Sequence, residues 1–451
     1  MKLELPYLEK TFPLEFPDEN LLAVAEPNEY AGGAENGGAE NSGPEALIAA
    51  ALDKPYGPPE GQGAAAVNGA RGKGPSLAEF LNRGGPGKRL LVIINDATRP
   101  TPTEAILSAM LPVIERADFG GDALSLLAAT GAHRAPTEDE YRQILGRHYG
   151  ELRERCVCHQ ARSEADMVDL GVTRNGAPIL LNKRLFQADR IIVTGSVEPH
   201  YFAGFTGGRK AFLPGIAAYR TIEANHKQAL SPNARSLALE GNPVHEDMMD
   251  VLPLIKAPVF ALMTVLNKEQ RTAAATAGDI IASFYGAVDI ARKIFCVSVR
   301  EKADIVVSVA KFPMDIDLYQ SQKAIDNGAV ALKDGGTLIL VSSCRDGIGD
   351  EAYAKLLAQA SSPADALRRI REGYKLGYHK AAKMAEVSAR ASIRAVTELP
   401  AERLRSLFIE KAAAPQEALD AALAAARSKG IAAPKILVLP DGCVTVPEPL
   451  R

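Results

Sequence analysis

From about residue 88 onward, short apolar runs alternate with stretches whose apolar residues recur every three or four positions. The runs fall at 90–94, 124–128, 190–193, 259–265, 304–309, 337–341 and 435–439, and they are rich in Val, Ile and Leu. Uninterrupted apolar runs of that length, separated by helical patterns, predict strands buried on both faces of parallel sheets and joined by right-handed helical crossovers. The chemistry of such folds sits just beyond the carboxyl ends of the strands. The pattern predicts an α/β protein of two α/β domains with mainly parallel sheets and the active site in the cleft between them. Its first domain is expected to cover 1–297 and to be joined by a returning strand in about 431–451; the second covers 298–430. The boundary is placed where a helical pattern over 280–295 gives way to a new series of strands and helices.

Residues 31–75 break the pattern. They contain a doubled Gly-Gly-Ala-Glu-Asn and a second stretch of Gly, Ala and Pro, too poor in apolar side chains to offset the entropy of ordering them. A partly mobile insertion is expected there, interrupted by a short helix over 45–52.

Composition narrows the function classes. With 451 residues, 47% hydrophobic and 24% charged, the chain can bury two cores. Its 52 basic against 55 acidic residues leave a net charge of -3, which offers nothing to nucleic acid or to an anionic membrane as a whole. Five scattered cysteines do not suggest a disulfide framework. The absence of a leader-like start and of a long apolar run leads to the expectation of a cytoplasmic enzyme acting on a small molecule.

Three post-strand loops hold the candidate chemistry. The first, after 90–94, reads Asn95-Asp96-Ala97-Thr98-Arg99-Pro100; an Arg there can grip a carboxylate through two parallel hydrogen bonds, although Asp, Thr and Pro also favour plain helix starts. In the second, Gly131-Ala132-His133-Arg134, a neutral imidazole could remove a proton or simply be a surface histidine. The third runs from Gly195 through Glu198-Pro199-His200-Tyr201-Phe202-Ala203-Gly204-Phe205-Thr206-Gly207-Gly208-Arg209-Lys210, with His226 further on. Its four glycines permit close backbone approach to an anion, yet Arg209 separates Gly208 from Lys210 and Ala211 follows, unlike the nucleoside-triphosphate pattern. Lys210 can be a phosphate clamp, a covalent amine or a solvated lysine. In the second domain, Tyr319-Gln320-Ser321-Gln322-Lys323 places Gln320 and Lys323 on one helical face. The run Cys156-Val157-Cys158-His159 lacks a second ligand pair and reads as a plain strand. His148, His245 and His379 are expected to serve packing, caps or surface.

As a set, Asp96-x-Thr98-Arg99, Gly131-x-His133-Arg134, His200 with Gly204-Phe-x-Gly-Gly-x-Lys210, His226 and Tyr319-Gln320-x-x-Lys323 resembles the lactate racemase family that uses a nickel-pincer nucleotide. The likeness spans roughly residues 88–345. It implies a racemase or epimerase of a 2-hydroxy acid, working by reversible hydride transfer from Cα to the cofactor. Lys210 would be the covalent attachment point and His226 a nickel ligand, with Gly207, Gly208 and Thr98 against the nucleotide; sulfur plus imidazole suits nickel. His133 and His200 would be the acid/base pair, Arg99 and Lys323 would hold the carboxylate, Tyr319, Gln320 and Phe202 would shape the pocket, and Asp96 would support the first loop. The chain has no tryptophan, whereas some members place one in the substrate pocket, and this points away from lactate toward a larger, aromatic or sugar hydroxy acid. Expected partners are that acid and cofactor-biosynthesis proteins, with self-association left open. The competing readings are an oxidoreductase with a diffusible nicotinamide, which would need a Gly-x-Gly-x-x-Gly after a first strand, and a non-catalytic binder of a hydroxy acid or nucleotide.

Overall fold

Parallel strands with both faces covered dominate the computed structural model, which describes residues 1–30, 43–58, 71–83 and 89–450. The chain divides into two compact units, Glu29–Ile294 and the combination of Met1–Asn28 with Phe295–Arg451. Among the described residues no helix is long and apolar enough to cross a membrane.

The Glu29–Ile294 unit is built on an eight-stranded sheet. Five parallel strands form its body in the order Val259–Leu266, Arg190–Ser196, Leu90–Asn95, Leu124–Ala129, Cys156–Cys158. Thr272–Gly278 adds antiparallel to the first of these, and the short Tyr56–Gly57 and Gly72–Lys73 finish that edge. Leu90 to Ile94 are all buried, the signature of a strand covered on both sides. On one face Leu90, Val92 and Ile94 meet Ile106, Met110 and Ile114 of helix Thr103–Arg116 and Ile48 and Leu52 of helix Pro44–Asp53. That last helix is the one expected over 45–52; most of the surrounding insertion, at 31–42 and 59–70, lies outside the described residues.

The other unit carries a six-stranded, wholly parallel sheet in the order Ile409–Ala412, Ser392–Val396, Leu332–Val341, Ala303–Val309, Ile436–Leu439, Leu21–Val24. Two expectations are corrected here. Residues 1–28 belong to this unit, and so does the final segment, because Ile436–Leu439 inserts between Ala303–Val309 and Leu21–Val24. Val446–Pro449 likewise pairs with Cys296–Val299. The reason is burial: all four residues of Ile436–Leu439 are inaccessible, and the place beside Ala303–Val309 covers both faces at once. A hairpin of Lys2–Tyr7 and Lys10–Glu15 closes the core with Leu5 and Leu14, assisted by Phe16, against Ile305, Val307 and Leu419.

Candidate active site

Three adjacent strands of the Glu29–Ile294 unit, Arg190–Ser196, Leu90–Asn95 and Leu124–Ala129, run parallel, so their following loops emerge along one sheet edge. The loops are stitched together just past the strands: Ser196 Oγ–H donates to Thr101 Oγ1 at 3.0 Å, and Thr101 donates to Asn95 Oδ1 at 3.0 Å.

Asp96 is 4% exposed and organises the first two loops. Its Oδ1 accepts from the backbone N–H and hydroxyl of Thr98 at 3.1 and 2.7 Å, while its Oδ2 lies 2.7 Å from His133 Nδ1. Burial pushes this carboxyl up, but the hydrogen bonds from His133 and Thr98 and the charge of Arg99 outweigh it and hold the pKa below the ordinary value. An ionised carboxylate requires a donor at His133 Nδ1, so the neutral ring keeps its lone pair on Nε2. Thr98, expected against a nucleotide, has its hydroxyl committed to Asp96.

His200 is set the other way round. Its Nδ1 accepts the backbone N–H of Ala203 at 3.2 Å, which leaves the proton of the neutral ring on Nε2. Burial, then the charges of Lys210 and Arg99, lower its pKa well below the usual histidine value. The ring stacks on Tyr201 at 5.0 Å and meets the edge of Phe202 at 4.6 Å. Phe202 is a hub: the His226 ring lies 5.1 Å and the Lys210 Nζ 5.8 Å from its centroid. Phe202, expected to shape the pocket, is 2% exposed, with the His200 and His226 rings and the Lys210 amine packed around it.

Lys210 sits in a 3-10 turn, Gly208–Ala211. Burial first, then Arg99 and Arg209, push its pKa far below that of an ordinary lysine, with Glu198 opposing. Among the described residues no carboxylate lies within 4.0 Å of the Arg99, Arg209 or Lys210 side-chain nitrogens. The glycines before Lys210 have an internal reason: Gly207 has φ +78, and a Cβ there would lie 2.5 Å from Val197 Cγ2. His226 is carried in the last turn of helix Tyr219–Lys227.

Tyr319, Gln320 and Lys323 lie in the other unit, on helix Leu318–Gly328, whose N-cap Asp317 accepts the Gln320 N–H at 2.6 Å. Lys323 Nζ lies 3.4 Å from the Met314 sulfur. Tyr319 is pushed up to about 12 by burial and then by Asp350 and Asp317. Sequence reasoning missed its neighbour Lys380, 4% exposed, whose Nζ donates to the Tyr319 carbonyl and lies 4.2 Å over the Tyr319 ring.

The remaining histidines make hydrogen-bond and packing contacts away from these loops or behind them. His159 is 1% exposed and bridges Ala217 O and Asn182, and among the described residues no group of three or more His, Cys, Asp or Glu side chains gathers to hold a metal. His148 contacts Ser108 and His379 contacts Tyr374. His245 is buried against Arg209, a contact with no local signal in the sequence.

Comparison with known proteins decides the family. Residues 7–237 match the lactate racemase N-terminal domain, and residues 298–446 match the lactate racemase C-terminal domain. The chain belongs to the lactate racemase family. It is 31% identical over 372 residues to the lactate racemase of Thermoanaerobacterium thermosaccharolyticum, covering 82% of this chain and 80% of that one. Against the lactate racemase of Lactiplantibacillus plantarum it is 34% identical over 376 residues, covering 79% and 84%. The structure of the Thermoanaerobacterium lactate racemase apoprotein superposes with a TM-score of 0.85 at 28% identity, over 99% of this chain and 100% of that one. A Thermotoga maritima protein, 16% identical over 83% of this chain and 96% of its own, shares the fold with a TM-score of 0.62. As a lactate racemase relative, the chain is an isomerase of the racemase type.

Proposed function

We propose that the chain racemises or epimerises a 2-hydroxy carboxylic acid, with His133 and His200 handling the hydroxyl proton, Arg99 engaging the carboxylate, and Lys210 carrying a nickel-pincer nucleotide with His226 as nickel ligand. The observation that carries this reading is the pair of oppositely presented imidazoles, one with an open Nε2 and one with Nε2–H, beside cations that no carboxylate of the described residues offsets within ion-pair range. Such a site suits anions: a phosphate from the nucleotide and the carboxylate of the substrate.

The donor chemistry fits the cofactor. An amine whose pKa burial and the Arg99 charge push well below the lysine value is biased toward the unprotonated nucleophile that a covalent tether requires, and the His226 imidazole shares the Phe202 ring with it. When bound, the nucleotide supplies a hydride acceptor, which spares the substrate a carbanion next to a carboxylate. The chain's own residues do the rest. His133, oriented by Asp96, takes the hydroxyl proton at Nε2. His200 offers its Nε2–H to the oxygen when the opposite face is reduced, and Arg99 keeps the carboxylate in place as the carbon inverts. The family resemblance adds Tyr319, Gln320 and Lys323 as proposed substrate-binding residues. Without a tryptophan, the substrate expected is larger than lactate.

The test is production of the chain alongside the cofactor-making proteins, followed by intact mass, nickel content and chiral analysis of a panel of hydroxy acids. The expected result is a mass gain on the Lys210 peptide and formation of the opposite stereoisomer. Racemisation by chain whose Lys210 is unmodified and nickel-free would remove the tether from the reading. Loaded chain that inverts no hydroxy acid would remove the racemase.

A further inference from the structure

Arg209 and Lys210 are adjacent, yet Arg209 is 1% exposed and Lys210 is half-buried. A buried guanidinium without an ion pair is costly unless every donor finds an acceptor. Here Nη2 donates to Ala203 O at 2.8 Å, Nη1 to Thr206 O and Gly207 O at 3.3 and 3.2 Å, and Nε to His245 Nδ1 at 3.0 Å. The Phe284 ring lies 4.3 Å from the guanidinium carbon. Three of these acceptors are backbone carbonyls of the loop that leads into Lys210.

The anchor is gripped from a second point. His245 stands on helix Pro243–Val251, and the N-cap of that helix, Asn242, donates its side-chain N–H groups to Phe202 O and Ala238 O, both at 2.9 Å. One short segment therefore holds both Phe202, the ring shared by His200, His226 and Lys210, and the arginine that fixes the carbonyls between.

We propose that Arg209, braced by His245 and Phe284, is the positioning residue for Lys210: it locks the 203–207 backbone into the conformation that presents the lysine amine. His245 is suited to this because burial and the Arg209 charge push its pKa down to about 2, so its Nδ1 stays an acceptor. Arg209 itself, lowered to about 9 by burial, remains charged at neutral pH. The inference rests on the reading above only in taking Lys210 as the functional amine.

The test uses the cofactor-free full chain. Trace acetylation with acetic anhydride, read by peptide mass spectrometry, gives the labelling of Lys210 relative to the exposed Lys256 and Lys268 in the same molecule. Arg209→Lys keeps a charge but not the fork, and His245→Leu removes the acceptor while keeping bulk. Both are expected to lower relative Lys210 labelling about tenfold, the scale on which misplacement acts. His245→Gln restores an acceptor and is expected to stay within about twofold of the wild type. Thermal melts run in parallel. A lower Tm with unchanged Lys210 labelling in His245→Leu would overturn the proposal, because it is what a purely structural arginine predicts. Should Arg209→Lys not fold, the His245→Leu and His245→Gln pair decides alone, since neither alters the arginine. Mass gain on Lys210 in chain made with the cofactor-making proteins is a separate readout. If the wild type never gains mass, the tether fails while the labelling still judges the positioning.

Discussion

A carboxylate faces Nδ1 of His133 and a backbone N–H faces Nδ1 of His200, so the two rings present opposite Nε2 states from the same sheet edge. Replacing Asp96 by Asn substitutes an amide that can donate to Nδ1, which would move the His133 proton to Nε2. Initial rates on both stereoisomers are expected to fall about 100-fold or more in Asp96→Asn, and equally in His133→Asn and His200→Asn, with Lys210 still modified. A second residue-scale consequence concerns acid. His245 has a folded pKa of about 2 against an ordinary 6.5, so below 6.5 the unfolded chain binds a proton that the folded chain refuses. Stability from this group is therefore complete above 6.5 and is lost as pH falls from there toward 2, by about 1.4 kcal/mol per pH unit well inside that window. Chemical denaturation between pH 7 and 5 should show His245→Gln losing less stability than the wild type; equal losses would contradict the assignment.

At the scale of elements, the glycine-rich loop joins what was legible to what was not. Its composition marks it as a place where backbone comes close to something, and Gly207 at φ +78 against Val197 shows that the partner includes the protein itself. Gly207→Ala is expected to cost about 1–3 kcal/mol, measured by denaturant midpoint, from the strained φ together with the clash. The strands at Leu90–Asn95, Val259–Leu266 and Ala303–Val309 could be read directly because a strand buried on both faces must be an unbroken apolar run. So could the helix start at Thr137, whose side chain and that of Glu140 form a reciprocal cap. Asp96, His133, His200 and Lys210 could be singled out because they follow such runs, and the structure places those runs side by side in one sheet. Arg209, His245 and Lys380 could not: their partners lie 36 and 61 residues away, and no local pattern records a contact made only by tertiary packing.

The whole molecule shows where a linear reading fails. A parallel strand such as Ile436–Leu439 is compatible with any sheet that offers a doubly covered slot, and only the assembled fold reveals that the slot lies beside Ala303–Val309. Because Leu5, Leu14 and Phe16 are buried in the same core, deleting residues 1–28 is expected to destabilise the unit containing Phe295–Arg451 by about 5 kcal/mol. Differential calorimetry should show that loss in one transition, while a transition from Glu29–Ile294 is retained; loss from both would contradict the division. The same strand order has a consequence in time. Leu21–Val24 pairs with Ile436–Leu439 in its sheet, so one strand of the pair is synthesised hundreds of residues before its neighbour. At synthesis rates of roughly 5–20 residues per second, that edge waits on the order of tens of seconds for its partner, long enough for the intervening unit to fold. Closure of the second sheet therefore has to wait until the Ile436–Leu439 strand has been made.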